Sequence, residues 1–322
     1  MTELTFVEAV NFALKQEMRR DKSIVILGED VGRDGGVFRA TDGIQRLYGE
    51  SRVIDTPLSE LGIVGASLGL ALGGMKPVAE IQFDGFVYGA FDQVISHISR
   101  IRNRSRGRYS CPLVIRIPYG GGIKAIEHHS ETPETYFSHV PGIKVVMPSG
   151  PYDAKGLLLS AMRDPDPVIF FEPKKIYRSF REDVPDGDYT VPIGQAAVKK
   201  EGTDVTLISW GSSVRTCLEA ANSSDKSVEV VDLRTISPMD TDTILNSVQK
   251  TGRVLIVHEA PRSFGAGAEV SARIAERSIL NLKAPIMRVT GYDVTTPYPK
   301  LEDYNLPDAY RISRAISKIM EF

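Results

Sequence analysis

Residues 52–83, RVIDTPLSELGIVGASLGLALGGMKPVAEIQF, decide the fold. Arg52 to Asp55 is a β-branched run that reads as a strand, Ser59 to Gly73 carries helical spacing, and Pro77 to Phe83 reads as a second strand. Strand, helix and strand in close succession make one unit of a parallel sheet covered by helices. Thr56 before Pro57 predicts an N-cap followed by the first helical residue, which puts Glu60 in the first turn, where a carboxylate complements the helix dipole. Leu61 to Met75 is the most apolar stretch, but its roughly fifteen residues fall short of the twenty a membrane span needs, so a buried helix is expected. Within it Gly65, Gly69 and Gly73 share one helix face, a smooth ridge suited either to close packing inside the domain or to another subunit.

The same alternation extends outward. Ser23 to Leu27, Leu113 to Ile117, Lys144 to Val146 and Val168 to Phe171 read as further strands, with helical spacing over Phe86 to Asn103 and Tyr152 to Arg163. From Pro173 to Pro192 the pattern lapses into charges, Pro and Gly, the most linker-like stretch in the chain. Beyond it Val205 to Ile208, Val228 to Val231, Val254 to Val257 and Ile286 to Val289 read as strands, and a last helix starts from Asp308. The expected architecture is α/β with two doubly wound domains, over residues 1–178 and 195–322, joined by a linker over 179–194.

The chain has 322 residues, 42% hydrophobic and 25% charged, with a net charge of -2, which excludes disorder and any global attraction to nucleic acid or an anionic membrane. Cys111 and Cys217 lie far apart in sequence, and the amino terminus is amphipathic with early acids, so a reducing, cytoplasmic setting is expected. Nucleotide motifs are lacking: Met75 stands where a phosphate loop needs Lys, and Gly265-Ala266-Gly267 has no third Gly. The arginines at 100, 102, 104, 106 and 108 offer an alternative of another class, a phosphate- or RNA-binding module, although steps of two scatter around a helix. The remaining oddity is Ile126-Glu127-His128-His129-Ser130-Glu131 in a Gly-rich segment, with His139 nearby. A histidine beside a pocket can exchange a proton near pH 7, but it can equally be a hydrogen-bonded structural residue.

Thr56-Pro57-Leu58-Ser59-Glu60, Ala79-Glu80-Ile81-Gln82-Phe83, Phe91-Asp92-Gln93, His129-Ser130, Pro141 to Val146, Asp153 to Leu157 and Phe170-Phe171-Glu172-Pro173 together resemble one family. It is the beta chains of the thiamin-diphosphate-dependent decarboxylase component of 2-oxo acid dehydrogenase complexes. Val231 to Ile236, His258-Glu259-Ala260-Pro261 and Arg288 to Asp293 continue the likeness through the second half. The resemblance implies a transketolase-like pyrimidine-binding domain followed by a smaller transketolase carboxy-terminal domain.

It also implies roles. Glu60 matches the carboxyl that shares a proton with the cofactor's pyrimidine nitrogen, kept protonated by Leu58, Leu61 and the ring itself. His129 matches the residue that assists acyl transfer to a lipoyl arm on the partner acyltransferase. Leu58 would wedge the cofactor into a bent shape, Gln82 would line the pocket, and Phe86 would stack on the pyrimidine. A monovalent cation, potassium in type, would lie at Leu113, Ala161, Met162, Asp164 and Asp166, with Asp166 where the family usually has Asn. His128 and Glu131 also depart from the family, which commonly has Tyr and Gln at those places.

No Gly-Asp-Gly occurs in the chain, and that motif holds the magnesium and diphosphate in thiamin enzymes. The resemblance therefore implies half an active site, completed by an alpha chain in a heterotetramer with a second beta chain, and the glycine ridge is a candidate interface. Ile169 to Pro173 with Ile176-Tyr177-Arg178 look closest to the branched-chain type, acting on 3-methyl-2-oxobutanoate, with pyruvate or broad 2-oxo acid specificity as the alternative.

Overall fold

Short aliphatic runs bounded by Gly, Pro and Asp settle as covered strands in the computed structural model, which describes residues 1–322. In chain order the strands are β1 (Thr2–Leu4), β2 (Ile24–Gly28), β3 (Val53–Asp55), β4 (Lys76–Glu80), β5 (Val114–Tyr119), β6 (Lys144–Val146), β7 (Val168–Pro173) and β8 (Glu182–Val184). They continue with β9 (Ala197–Lys200), β10 (Val205–Ser209), β11 (Val228–Asp232), β12 (Thr235–Ser237), β13 (Val254–Pro261) and β14 (Met287–Gly291). The helices of the first half are α1 (Phe6–Arg20), α2 (Ile44–Tyr48), α3 (Glu60–Leu72), α4 (Ile101–Arg104), α5 (Glu134–Ser138) and α6 (Pro151–Arg163). Those of the second are α7 (Ser213–Asn222), α8 (Thr241–Thr251), α9 (Ala266–Ser278), α10 (Glu302–Asn305) and α11 (Ala309–Ile319).

A 7-stranded sheet runs β12-β6-β7-β5-β4-β2-β3, parallel except at β12, and a 5-stranded sheet runs β14-β13-β10-β11-β9, parallel except at β9. The two are locked together. β12 leaves the second half of the chain to pair with β6 at the edge of the first sheet, and one apolar core joins Ile169 and Phe171 to Trp210, Val231 and Ile256. The stretch over 179–194 is fastened rather than free: β8 pairs with β1, Val191 is buried, and buried Lys155 donates to the carbonyls of Pro185 and Gly187. Its polar composition reads as linker because the partners of its backbone lie far away in sequence.

Phe86 to Asn103 is not one helix. Asp84 begins a 3-10 turn over Asp84–Ala90, its carboxylate accepting from Gly85 N at 2.9 Å, and a π-turn over Gln93–His97 precedes the short α4. Nor is α3 buried all round. Ile63, Val64, Ser67 and Ala71 face the core, whereas Leu61, Gly62, Ala66, Gly69 and Leu72 face outward, and a side chain at Gly69 would meet nothing within 4 Å. No helix is long and apolar enough to cross a membrane.

Arg116 on β5 sits fully buried between Glu80 of β4, at 2.6 Å, and Glu172 of β7, at 2.7 Å, with Tyr177 donating to Glu172 at 2.6 Å. Burial raises Glu80 above the usual carboxylate range, since one guanidinium faces two acids. Arg116→Met keeps the volume but strands both carboxylates, so it should cost about 3–5 kcal/mol in urea unfolding. A loss below about 1 kcal/mol would show that the cluster does not hold the sheet together.

Candidate active site

The site forms at the carboxyl ends of the parallel strands, where open α/β sheets bind ligands. Thr56 N still donates to Gly28 O at 3.0 Å, so the chain stays extended past β3 and the expected cap at Thr56 does not form. The N-cap is Ser59, whose hydroxyl accepts from Gly62 N at 3.2 Å, and Glu60 becomes the first residue of α3. Glu60 is half-buried. Ahead of it Leu58 is 70% exposed and Leu61 50% exposed, two apolar side chains held in the open beside a carboxyl. Glu29, at the end of β2, is pushed up by burial and then by the carboxylates of Asp30 and Glu60, and its carbonyl accepts from Gln82 Nε2 at 3.5 Å. Neighbouring strand ends thus gather Glu29, Glu60 and Gln82.

Gln82 leads into an aromatic group. Phe83 and Phe86 meet edge to face at 5.6 Å between ring centroids, and His129 lies 4.1 Å from Phe83 and 5.1 Å from Phe86. The close approach depends on Gly85, where a Cβ would collide with the carbonyl and imidazole of His128. His129 Nδ1 and Ser130 Oγ are buried without hydrogen-bond partners. Burial, then His128 and Lys174, hold His129 below the ordinary imidazole value. Lys174 is itself buried in an ion pair with Asp84 and faces the Phe83 ring at 5.6 Å. His128 is exposed, its ring 6.4 Å from that of His129, and no group of three or more His, Cys, Asp or Glu side chains is arranged to hold a metal.

Glu29, Glu60 and Gln82 thus form one group and Phe83, Phe86 and His129 a second, joined through the Gln82-Phe83 step, with Leu58 exposed two residues before Glu60. Glu29, Asp84 and Lys174 are residues the sequence reading does not single out. The available signal for Glu29 is position: an acid just past a strand end in a parallel sheet. The positions suggested for a monovalent cation lie elsewhere, at the end of α6. There Asp164 N donates to Ala161 O at 3.3 Å, Asp164 pairs with Lys144 at 2.5 Å, and Asp166 pairs with Arg102 at 2.6 Å. Leu113 and Met162 are buried, Leu113 O accepting from Val168 N at 2.9 Å. Arg102 is thus spent on Asp166, and the arginines from 100 to 108 follow successive turns and a loop rather than one face.

These residues suit a flat, partly apolar heterocycle with a ring nitrogen. A carboxyl stands in sequence between exposed leucines, Phe83 and Phe86 pack around His129, and an imidazole nitrogen and a hydroxyl are unpaired. That set fits the aminopyrimidine of thiamin diphosphate. Lys174, the cation over the Phe83 ring, is already committed to Asp84 and so does not balance a diphosphate.

Residues 2–179 match the family "Transketolase, pyrimidine binding domain", and residues 194–312 match "Transketolase, C-terminal domain". The "Pyruvate dehydrogenase E1 component subunit beta" of Acholeplasma laidlawii is 51% identical over 322 residues, covering 99% of this chain and 98% of that protein. The protein of the same name from Bacillus subtilis (strain 168) is 49% identical over 325 residues, covering both chains in full. A solved structure described as "Split gene transketolase, inactive beta4 tetramer" superposes with a TM-score of 0.80 at 23% identity, covering 99% of each chain, a likeness of fold. The chain belongs to the transketolase-like beta subunits of 2-oxo acid dehydrogenase E1 components.

Proposed function

We propose that this chain is the beta half of a pyruvate-preferring 2-oxo acid dehydrogenase E1 component, binding thiamin diphosphate at interfaces with an alpha chain in a heterotetramer that holds two beta chains. One observation carries the reading: the carboxyl of Glu60 lies on a rim whose apolar flank, Leu58, Leu61 and the outer face of α3, is left open by this chain alone. A partner covering that face would desolvate Glu60. The alpha chain would bring the Gly-Asp-Gly motif and the magnesium, neither of which has ligands on this rim.

When bound, thiamin diphosphate supplies the carbon nucleophile and the electron sink for decarboxylation. Glu60 would hold a proton against the pyrimidine nitrogen, Leu58 would buttress the cofactor, Gln82 would line its pocket and Phe86 would pack against its ring. His129 moves a proton during acyl transfer to the lipoyl arm of an acyltransferase component. A potassium ion at the end of α6 would rest on main-chain carbonyls, because Asp164 and Asp166 already face Lys144 and Arg102. The setting is cytoplasmic, in keeping with two free, buried cysteines.

Pyruvate is favoured over branched substrates for two reasons. The relatives that span the chain are named for pyruvate. Of the residues that look branched-chain in type, Ile169 to Pro173, Ile176 and Tyr177 are buried core and ion-cluster residues that report packing rather than substrate, and exposed Arg178 donates to the Phe38 carbonyl. Purified alone with thiamin diphosphate and magnesium, the chain should decarboxylate nothing. Assembled with its alpha chain, it should show kcat/KM for pyruvate ~10-fold or more above that for 3-methyl-2-oxobutanoate. Turnover by the isolated chain overturns the half-site reading, and a reversed preference restores the branched-chain one.

A further inference from the structure

The second half of the chain grips the loop that carries His129. After β5 ends at Tyr119 the chain passes through Gly120, Gly121 and Gly122 before the turn over Glu127–His129. Gly122 (φ +95°) and Lys124 (φ +59°) are left-handed, which turns their N–H groups away from any strand or helix ladder. Both N–H groups find one carboxylate: Gly122 N donates to Glu302 Oε1 at 2.9 Å, and Lys124 N donates to Glu302 Oε2 at 3.1 Å. Glu302 is only 2% exposed.

Its neighbours strengthen the grip. Gly121 N donates to Glu259 Oε2 at 3.3 Å, while the Ser212 hydroxyl holds the other oxygen of Glu259. The Lys124 ammonium reaches Asp303 at 2.5 Å. Gly120 N, at the root of the loop, is tied instead to the first half, donating to Asp84 Oδ2 at 3.1 Å and to Glu131 O at 2.8 Å. Glu302 opens α10, and a first-turn acid ordinarily complements its own helix. Here both oxygens are turned to the loop of the other half.

We propose that Glu302 is a positioning residue for acyl transfer: by binding two main-chain N–H groups of the Gly120 to Ile126 loop, it keeps His129 against Phe83 and Phe86. The inference rests on the reading of His129 as the acyl-transfer residue. It gives the second half a part in the reaction, since a loop carrying a proton-transfer group loses rate when it is misplaced by an ångström.

The test uses the enzyme assembled with its alpha chain, carrying Glu302→Ala or Glu302→Gln. Gln is isosteric and keeps one acceptor, so it remains informative where Ala fails to fold. Hydrogen exchange in peptides spanning 120–127 should quicken on the order of tenfold in the Ala variant, because two bonds to a charged group are lost, and by less in the Gln variant. Acylation of the lipoyl domain should fall by roughly 10–100-fold, while decarboxylation read with an artificial electron acceptor changes by less than about threefold. Unchanged exchange, or an equal loss in both assays, overturns the proposal. His129→Ala in parallel separates the two claims. If it abolishes acylation and Glu302→Ala does not, only the positioning role fails; if it too spares acylation, the assignment of His129 fails and takes the positioning role with it.

Discussion

Glu60→Gln in the assembled enzyme should slow exchange of the cofactor's thiazolium C–H proton, and decarboxylation with it, by roughly 10²–10⁴-fold. Gln preserves size and hydrogen-bonding capacity but has no acidic proton to share with a pyrimidine nitrogen. Glu60 stands at the start of α3 with its backbone set by the Ser59 cap, so the substitution leaves the helix intact and the tetramer should still elute as one species. A second carboxyl is close at hand: Glu29 is raised by burial and by the charges of Asp30 and Glu60. Thiazolium exchange at the wild-type rate would disprove the role of Glu60, and a comparable loss in Glu29→Gln alone would transfer it to the neighbour.

Local chemistry explains why so much of the fold is legible. The unit over 52–83 announces itself because its strands are β-branched runs and its helix has an uninterrupted apolar period, and each choice is made within a few residues. The parts that stay hidden depend on distant partners. Thr56 looks like a cap, but its amide is already bound to Gly28 O, which moves the helix start to Ser59. Thr235-Ile236-Ser237 carries no mark that it will leave one sheet for the edge of the other. The 179–194 stretch looks free because the buried ammonium of Lys155 that binds its carbonyls lies on α6.

The site divides in the same way. Leu58, Glu60, Gln82, Phe86 and His129 come from the resemblance residue by residue, and the structure groups Glu60 with Glu29 and Gln82, and Phe86 with Phe83 and His129. Glu29 and Lys174 are not visible as site residues, because an acid or lysine past a strand end looks like any solvated loop residue until the sheet is closed, and Glu302 looks like an ordinary first-turn acid of α10. The branched-chain reading leans on Phe170-Phe171-Glu172, a distinctive motif whose Glu172 lies buried against Arg116, so its distinctiveness is tied to packing.

His129→Ala should depress acylation of the lipoyl domain by ~10²-fold or more and largely spare decarboxylation measured with an artificial electron acceptor. The geometry accounts for the split. His129 packs against Phe83 and Phe86, while Glu60 interacts with Glu29, and the Nδ1 of His129 is buried with no partner inside this chain. Equal moderate losses in both assays would reduce His129 to a shaping role, and a defect found only in His128→Ala would move the function one residue back. The titration distinguishes these readings further. Burial, His128 and Lys174 hold His129 below its ordinary value of 6.5, so the imidazole is neutral at pH 7 and gains its proton only in more acid solution. The pH profile of acyl transfer should therefore bend below pH 6.5, and His128→Asn, by removing a like charge, should move the bend upward. A bend that stays in place in His128→Asn, or that persists in His129→Ala, belongs to another group on the rim.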